Sequence, residues 1–182
     1  MSLTQPSVLV VDDTAQNLNV ASRILREHYR ALVALDGNKA LEIARSEDAP
    51  DLILLDVMMP GLNGYEVCRQ LKADEKTRDI PVIFLTALDE ATSEAAGFEV
   101  GAVDYITKPI SPATMLARVR THLQLRAHEK HLKEMVSQRT HALEERTREL
   151  EETRLEVIRR LGRAAEYKDD ATGLHVIRMS QY

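Results

Sequence analysis

The sequence has little of what extracellular or membrane-spanning proteins need. Cys68 is the only cysteine among 182 residues, so no disulfide can form within the chain, and we expect a reducing, cytoplasmic setting. No apolar run reaches the roughly 18 residues needed to cross a bilayer, so we expect no membrane partner. Residues 1–6 lack the basic start and the apolar run of a secretory signal.

Aromatic residues and concentrated positive charge are also scarce. Aromatics make up 4% of the chain and tryptophan is absent, so the core must be built from Leu, Val, Ile and Ala. Residues 1–124 hold 12 Lys and Arg against 18 Asp and Glu, and residues 125–182 hold 12 against 11. Neither part has the basic patch of a nucleic-acid-binding protein, so we expect no nucleic-acid partner.

Apolar runs and helical patterns alternate along the first two thirds of the chain. Continuous runs at Val8–Val11, Leu52–Leu55 and Val82–Leu85 are typical of strands buried on both faces, and weaker strands are predicted at Ala31–Leu35 and Val103–Thr107. Helices are predicted at Ala15–His28, Lys39–Ser46, Gly64–Lys72, Ser93–Val100 and from Pro112 onward. This order predicts an α/β fold with a doubly wound, five-stranded parallel sheet.

Polar side chains follow the predicted strands. Asp12 and Asp13 follow the first run, Asp56 follows the run at Leu52–Leu55, and Thr86 and Lys108 end later strands. Each alone can be a cap, a turn residue or a solvated side chain. Together they should meet at one edge of a parallel sheet, where three carboxylates suit a hard cation, Mg²⁺ or Mn²⁺.

A long helix is predicted from Pro112 to about Glu166, because this stretch has no further proline and only one glycine. Every seventh residue is apolar over part of this helix, as in one half of a coiled-coil seam, and we expect a parallel homodimer. The alternative is a single, solvated amphipathic helix. The apolar positions are Val136, Leu143, Leu150, Val157 and Ala164. The other half of the seam is poor in apolar residues in either of two frames, Arg139, Arg146, Thr153 and Arg160, or Thr140, Thr147, Arg154 and Leu161.

Four segments resemble the receiver domain of two-component response regulators: Val8–Asp13, Leu54–Gly64, Leu85–Ala87 and Tyr105–Pro109. The resemblance implies a flavodoxin-like fold. It implies that Asp56 accepts a phosphoryl group from a sensor histidine kinase. The metal would be held by Asp12, Asp13, Asp56 and the backbone carbonyl of Met58.

The same resemblance assigns further roles. Thr86 and Lys108 would hold the phosphoryl oxygens, Thr86 and Tyr105 would form the switch, and the Lys108–Pro109 bond would be cis. Met58 and Leu88 are apolar where many relatives are polar, and we hypothesise that they slow dephosphorylation by limiting water access.

The C-terminal residues Arg160–Tyr182, and Thr172–Arg178 in particular, resemble the opening of HD-GYP domains, which hydrolyse cyclic di-GMP at a metal centre. His175 would then be a ligand for transition metals in that output domain; otherwise it is a surface histidine. Ala171 stands where some relatives carry a metal-binding glutamate. The His-Asp pair and the GYP segment are absent. We therefore expect a truncated output domain and no phosphodiesterase activity in this chain.

The predicted organisation is a tail at 1–6, a receiver at 7–124, a coiled-coil signalling helix at 125–165 and an output fragment at 166–182. This describes a switch and not an enzyme. Two alternatives remain: a phosphatase working through an aspartyl phosphate, and a dimerisation protein with an inert receiver. Met58 argues against the phosphatase, because such enzymes usually place a second acid two residues beyond the nucleophile.

Overall fold

A computed structural model of the chain describes residues 5–87 and 99–179. The chain divides into two units, Met1–Glu129 and Lys130–Tyr182. The helix predicted at Ser93–Val100 lies almost entirely outside the described residues, and so does Leu88.

The first unit is built on a five-stranded sheet: β1 (Ser7–Val11), β2 (Arg30–Ala34), β3 (Leu52–Asp56), β4 (Val82–Ala87) and β5 (Asp104–Lys108). All neighbouring strands are parallel, in the order β2-β1-β3-β4-β5. The three continuous apolar runs are the three interior strands, and the two weaker patterns are the edges. The predicted doubly wound sheet is therefore confirmed.

Successive residues of the interior strands enter two separate apolar layers. Leu9 and Ile53 belong to a layer with α2 (Gly37–Ala44) and α3 (Gly64–Ala73), while Val10 and Leu54 belong to a layer with α1 (Ala15–Leu25). All four of these strand side chains are at most 1% exposed. Burial on both faces explains why these strands are continuously apolar and not alternating.

Several boundaries differ from the predictions by one to three residues. β2 lies one residue earlier and β5 one residue later than predicted. α1 ends at Leu25 instead of His28, because the backbone N–H groups of His28 and Tyr29 both donate to the Leu25 carbonyl and turn the chain toward β2. α2 begins two residues early because the Asp36 side chain caps it, accepting from the N–H of Lys39 at 2.8 Å.

The C-terminal helix runs from Pro112 to Met179. Within the first unit it buries Met115 and Val119 in the layer that contains α1. No helix in the described ranges is both long enough and apolar enough to span a bilayer. The helix continues without a break through residue 166. The start of an output fragment at that residue remains a prediction, and so does the role of His175.

Candidate functional site

The carboxyl ends of three strands bring four charged side chains to one edge of the sheet. Asp12 and Asp13 follow β1, Asp56 is the last residue of β3 and Lys108 is the last residue of β5. One carboxylate oxygen from each of the three aspartates lies within 4.8 Å of the other two. The structure therefore brings together the acids that the sequence analysis placed at one edge.

Lys108 lies between two of these acids. Its Nζ atom donates to Oδ2 of Asp12 and to Oδ2 of Asp56, both at 2.8 Å. The Asp12 side chain is fully buried and the Asp56 side chain is 8% exposed, so solvent screens these ion pairs little. One ammonium group therefore neutralises part of the repulsion between two buried carboxylates.

Asp12 is held by the start of α1 as well as by Lys108. Its Oδ1 atom accepts from the backbone N–H of Thr14 at 2.9 Å, and both carboxylate oxygens accept from Nδ2 of Asn17 at 2.9 and 3.0 Å. These bonds satisfy a carboxylate that has no contact with water. Asp12 is thus fixed in position and remains ionised.

The pKa values of these groups reflect burial set against pairing. Burial acts to raise the pKa of Asp12, but the hydrogen bonds from Lys108, Thr14 and Asn17 hold the pKa below its ordinary value of 3.8. The pKa of Asp56 is raised above 3.8. Burial is the largest cause, and together with the negative charge of Asp12 it outweighs the lowering effect of Lys108 and of the Met58 backbone N–H. Burial would lower the pKa of Lys108, but its bonds to Asp12 and Asp56 raise that pKa above 10.5.

Asp13 completes an oxygen-rich cluster that is open to solvent on one side. Its side chain is exposed, and Oδ1 accepts from the Thr14 hydroxyl at 3.2 Å. Three carboxylates with one ammonium leave an excess of two negative charges, which a divalent cation would balance. Carboxylate oxygens are the ligands that Mg²⁺ and Mn²⁺ favour, so these residues fit such an ion.

Thr86 and Tyr105, the predicted switch residues, lie on the adjacent strands β4 and β5. Thr86 is buried, and its hydroxyl donates to the carbonyl of Ala87 at 3.2 Å. Tyr105 is half-buried against the layer that contains α2 and α3, and the Arg118 guanidinium carbon lies 5.7 Å from its ring centre.

The segment after β3 passes close to the carboxylate of Asp56. The backbone N–H of Met58 donates to Oδ1 of Asp56 at 3.4 Å, while the Met58 side chain is 68% exposed. The Lys108–Pro109 peptide bond is cis. Leu88, the other apolar residue of the dephosphorylation hypothesis, falls outside the described part of the chain.

Sequence reasoning missed two residues that support the site. Asn17 lies in the first turn of α1, and its side-chain amide donates to both carboxylate oxygens of Asp12. The only hint of this contact in the sequence is that an amide side chain follows Asp12 by five residues. Gly64 begins α3, where an added Cβ would lie 2.3 Å from the Asp56 carbonyl oxygen. Only glycine therefore lets α3 approach the end of β3 this closely.

Comparisons with known proteins agree with this geometry. The family profile described as "Response regulator receiver domain" matches residues 8–120. A Vibrio cholerae protein named "Probable cyclic di-GMP phosphodiesterase" is 40% identical over 99% of this chain, and "Response regulator PleD" of Caulobacter vibrioides is 48% identical over 63% of it. This chain spans 41% of the length of the first relative and 25% of the second.

A solved structure has the same fold. The receiver domain of a sensor histidine kinase from Pseudomonas aeruginosa, solved with a magnesium ion coordinated in its active-site cleft, is 30% identical to this chain. The similarity covers 65% of this chain and 98% of that one, with a TM-score of 0.59. The family profile, the relatives and the shared fold together show that this chain belongs to the response regulator receiver family.

Proposed function

We propose that this chain is a two-component response regulator in which Asp56 accepts a phosphoryl group from a sensor histidine kinase in the cytoplasm. The observation that carries the proposal is the cluster of Asp12, Asp13 and Asp56 within 4.8 Å, in which Lys108 bridges Asp12 and Asp56. Receiver domains interact with sensor histidine kinases, and the family assignment of residues 8–120 supports the same kind of partner here.

The chemistry assigned to Asp56 is a displacement at phosphorus. A carboxylate oxygen of Asp56 forms a bond to the phosphorus of a phosphohistidine, and the phosphorus–nitrogen bond breaks with its electron pair remaining on the imidazole nitrogen. Lys108 Nζ already lies 2.8 Å from Asp56, where it can neutralise charge on the transferring group. The protein thus contributes position and charge.

Asp12, Asp13, Asp56 and the carbonyl of Met58 would hold Mg²⁺ or Mn²⁺. The bound ion would neutralise phosphoryl oxygens during transfer. The Pseudomonas aeruginosa receiver solved with magnesium in its cleft supports this choice of metal. Asn17 and Thr14 keep Asp12 in place, so the metal site does not depend on Lys108 alone.

Phosphorylation is then passed to the rest of the protein. A covalent phosphate adds up to about two negative charges at the sheet edge, and its oxygens would attract the Thr86 hydroxyl and Lys108. Movement of Thr86 toward the phosphate would leave room for Tyr105 to turn inward. We propose this pair as the two-state element of the receiver, residues 7–124.

The output would follow the receiver in the chain. We propose that residues 125–165 form a dimeric signalling helix and that residues 166–182 begin an HD-GYP domain that hydrolyses cyclic di-GMP in the complete protein. The name of the Vibrio cholerae relative, which aligns with 99% of this chain, supports that output. His175 would become one of its metal ligands.

Phosphorylation by a small phosphodonor tests the proposal directly. The chain is incubated with acetyl phosphate and Mg²⁺, and intact mass is measured. We expect one added phosphoryl group in the parent protein, none in Asp56→Asn, and loss of the increment when EDTA replaces Mg²⁺. Asp51→Asn, altered at the residue that precedes β3 and therefore far along the strand from Asp56, is the matched control and should be phosphorylated normally.

Two results would contradict the proposal. A folded parent protein that gains no phosphoryl group would favour the inert dimerisation protein. Continuous release of inorganic phosphate from a phosphomonoester over many turnovers would instead favour the phosphatase.

A further inference from the structure

The second unit carries a stripe of exposed apolar side chains. Every side chain described from Lys130 to Leu161 is exposed, including Val136, Leu143, Leu150 and Val157, which are between 49% and 68% exposed. These four residues recur every seven positions and therefore share one face of the helix. Large apolar side chains on one helical face, exposed to this extent, are typical of a surface that another helix covers.

The second half of this face is formed by residues four positions further on. With the apolar residues at the d positions of a heptad, the a positions are Thr140, Thr147, Arg154 and Leu161. The Thr147 hydroxyl donates to the Leu143 carbonyl of its own helix at 2.9 Å. Its polar group is thus already satisfied, and its methyl group can pack against a partner helix without burying an unpaired donor.

Charged residues flank the face in a fixed pattern. Arg139 and Arg146 occupy the g positions on one side, and Glu144 and Glu151 occupy the e positions on the other. In a parallel, in-register pair of helices each g residue meets the e residue five positions further along the partner, so arginine meets glutamate. In an antiparallel pair g faces g and e faces e, so arginine would meet arginine and glutamate would meet glutamate.

A groove lies on this part of the helix. It is lined by Thr140, Leu143, Glu144 and Thr147, which are a, d, e and the next a of the heptad, and also by Arg148 and Glu151. In a parallel pair of helices, a d residue of the partner packs among residues at the a, d, e and next a positions. The Leu143 side chain of a second, in-register copy would therefore contact this groove.

We propose that residues 130–161 bind a second copy of this chain as a parallel, in-register coiled coil, selected by Arg139–Glu144 and Arg146–Glu151 pairs between the copies. This rests on the proposed function, which requires a dimeric helix. It adds the register of the two helices and the side chains that select the parallel orientation expected from the sequence. The occupant is a second copy because the g and e charges of this helix complement each other only when two such helices run in the same direction.

Disulfide trapping tests the orientation in the full chain. Val136→Cys and Val157→Cys each place one thiol at a d position near one end of the face. Native Cys68 does not compete, since it is fully buried and burial raises its pKa to about 11. Under mild oxidation we expect each variant, tested by itself, to form a disulfide-linked dimer. In a mixture of the two variants we expect disulfides that join position 136 to 136 and position 157 to 157, and none that join 136 to 157.

A charge-exchanged variant gives an independent measurement that does not depend on thiols. Combining R139E, E144R, R146E and E151R in one chain preserves every parallel pair within its own dimer. A dimer of this variant with the parent places arginine against arginine and glutamate against glutamate. We expect the tagged variant to bind untagged variant as the parent binds parent. We expect it to bind untagged parent at least about tenfold more weakly than the tagged parent does.

The possible outcomes separate the inference from the proposed function. Disulfides between 136 and 157, or preferential pairing of the variant with the parent, would show an antiparallel dimer and overturn this inference while leaving a dimeric signalling helix. A monomer in light scattering would overturn both the inference and the dimeric part of the proposed function. Phosphorylation of Asp56, measured on the same samples, reports the receiver function separately.

Discussion

The ammonium group of Lys108 lies 2.8 Å from the carboxylate of Asp56, the residue that we propose as the phosphoacceptor. The same group lies 2.8 Å from Asp12, so it shares its charge between two buried acids. Lys108 therefore pairs with two buried acids, and under the proposed function it would also lie where a phosphoryl oxygen needs a positive partner.

Replacing Lys108 should make the stability of the receiver depend on divalent cations. Lys108→Gln leaves Asp12 and Asp56 without their shared cation, and we expect it to lower the free energy of unfolding by about 2–3 kcal/mol in EDTA. Mg²⁺ should restore more stability to this variant than to the parent, as measured by urea unfolding with and without the ion. Lys39→Gln, at an exposed pair with Glu42, should change stability by less than about 0.5 kcal/mol. Equal effects of Mg²⁺ on parent and variant would contradict this assignment.

Asp104 should make a pH-dependent contribution to stability. Burial acts to raise its pKa, but hydrogen bonds from Arg118, His122 and the Tyr105 backbone hold the pKa below 3.8. A lowered pKa in the folded state means that the contribution is present above pH 3.8, the unfolded value, and is lost as the pH falls through the folded value.

We therefore expect Asp104→Asn to lower the free energy of unfolding by about 1–2 kcal/mol at pH 7, with the difference shrinking below pH 3.8. Urea unfolding of parent and variant from pH 7 to pH 3 measures this. Glu75→Gln, at an 86% exposed side chain, is the control and should differ little from the parent at any pH. A difference for Asp104→Asn that does not change with pH would show that its carboxylate is not the cause.

Gly64 should tolerate no side chain. In Gly64→Ala the new Cβ would lie 2.3 Å from the Asp56 carbonyl oxygen and 2.8 Å from the Val57 Cα, both backbone atoms that cannot move aside cheaply. We expect a loss of about 1–3 kcal/mol in thermal or urea unfolding, together with slower phosphorylation because the end of β3 must shift.

Gly61→Ala separates a steric cost from a conformational one. Gly61 has a φ of 78° but open space around it, so alanine there should cost about 1–2 kcal/mol from the left-handed backbone and leave Asp56 in place. Its phosphorylation rate should match that of the parent. Equal phosphorylation rates for the two variants would refute the steric argument for Gly64.

Met58 should influence the lifetime of the aspartyl phosphate. Its side chain is 68% exposed beside an Asp56 that is only 6% exposed, so a polar residue there would bring water to the phosphate more readily. We expect Met58→Asn, and likewise Leu88→Lys, to shorten the half-life several-fold when phosphate release is followed after removal of the donor. Val33→Asn, at an exposed position on β2, is the control, and unchanged lifetimes in the first two variants would dispose of the hypothesis.

The sequence was sufficient for the architecture and for the set of converging acids. Continuous apolar runs identified β1, β3 and β4, because only strands covered on both faces can be apolar at every position. Acids placed directly after such strands had to meet at one edge. The element boundaries were less certain, since β2 and β5 are edge strands with polar residues, and the cap at Asp36 is a single side-chain contact.

Other features of the site depend on three-dimensional distances that no residue pattern encodes. The bridge from Lys108 to both acids requires the end of β5 to face β1 across two intervening strands. Asn17 is an ordinary helical residue until its amide is seen within 3.0 Å of Asp12. Similarly, the hydroxyl of Thr147 seemed to be a polar interruption of the helical face, whereas its bond to the Leu143 carbonyl satisfies it locally.

The burial of the interior strands on both faces has a consequence for how their alignment is fixed. In a strand with one solvent-exposed face, a shift of one residue in register moves apolar side chains into water, but β1 and β3 would present apolar side chains to either layer after such a shift. Asp12 and Asp56 make the shift costly, because moving either strand back toward its amino end would carry a carboxylate into the apolar interior and away from Lys108. The residues proposed for phosphoryl chemistry therefore also help to fix the register of the sheet.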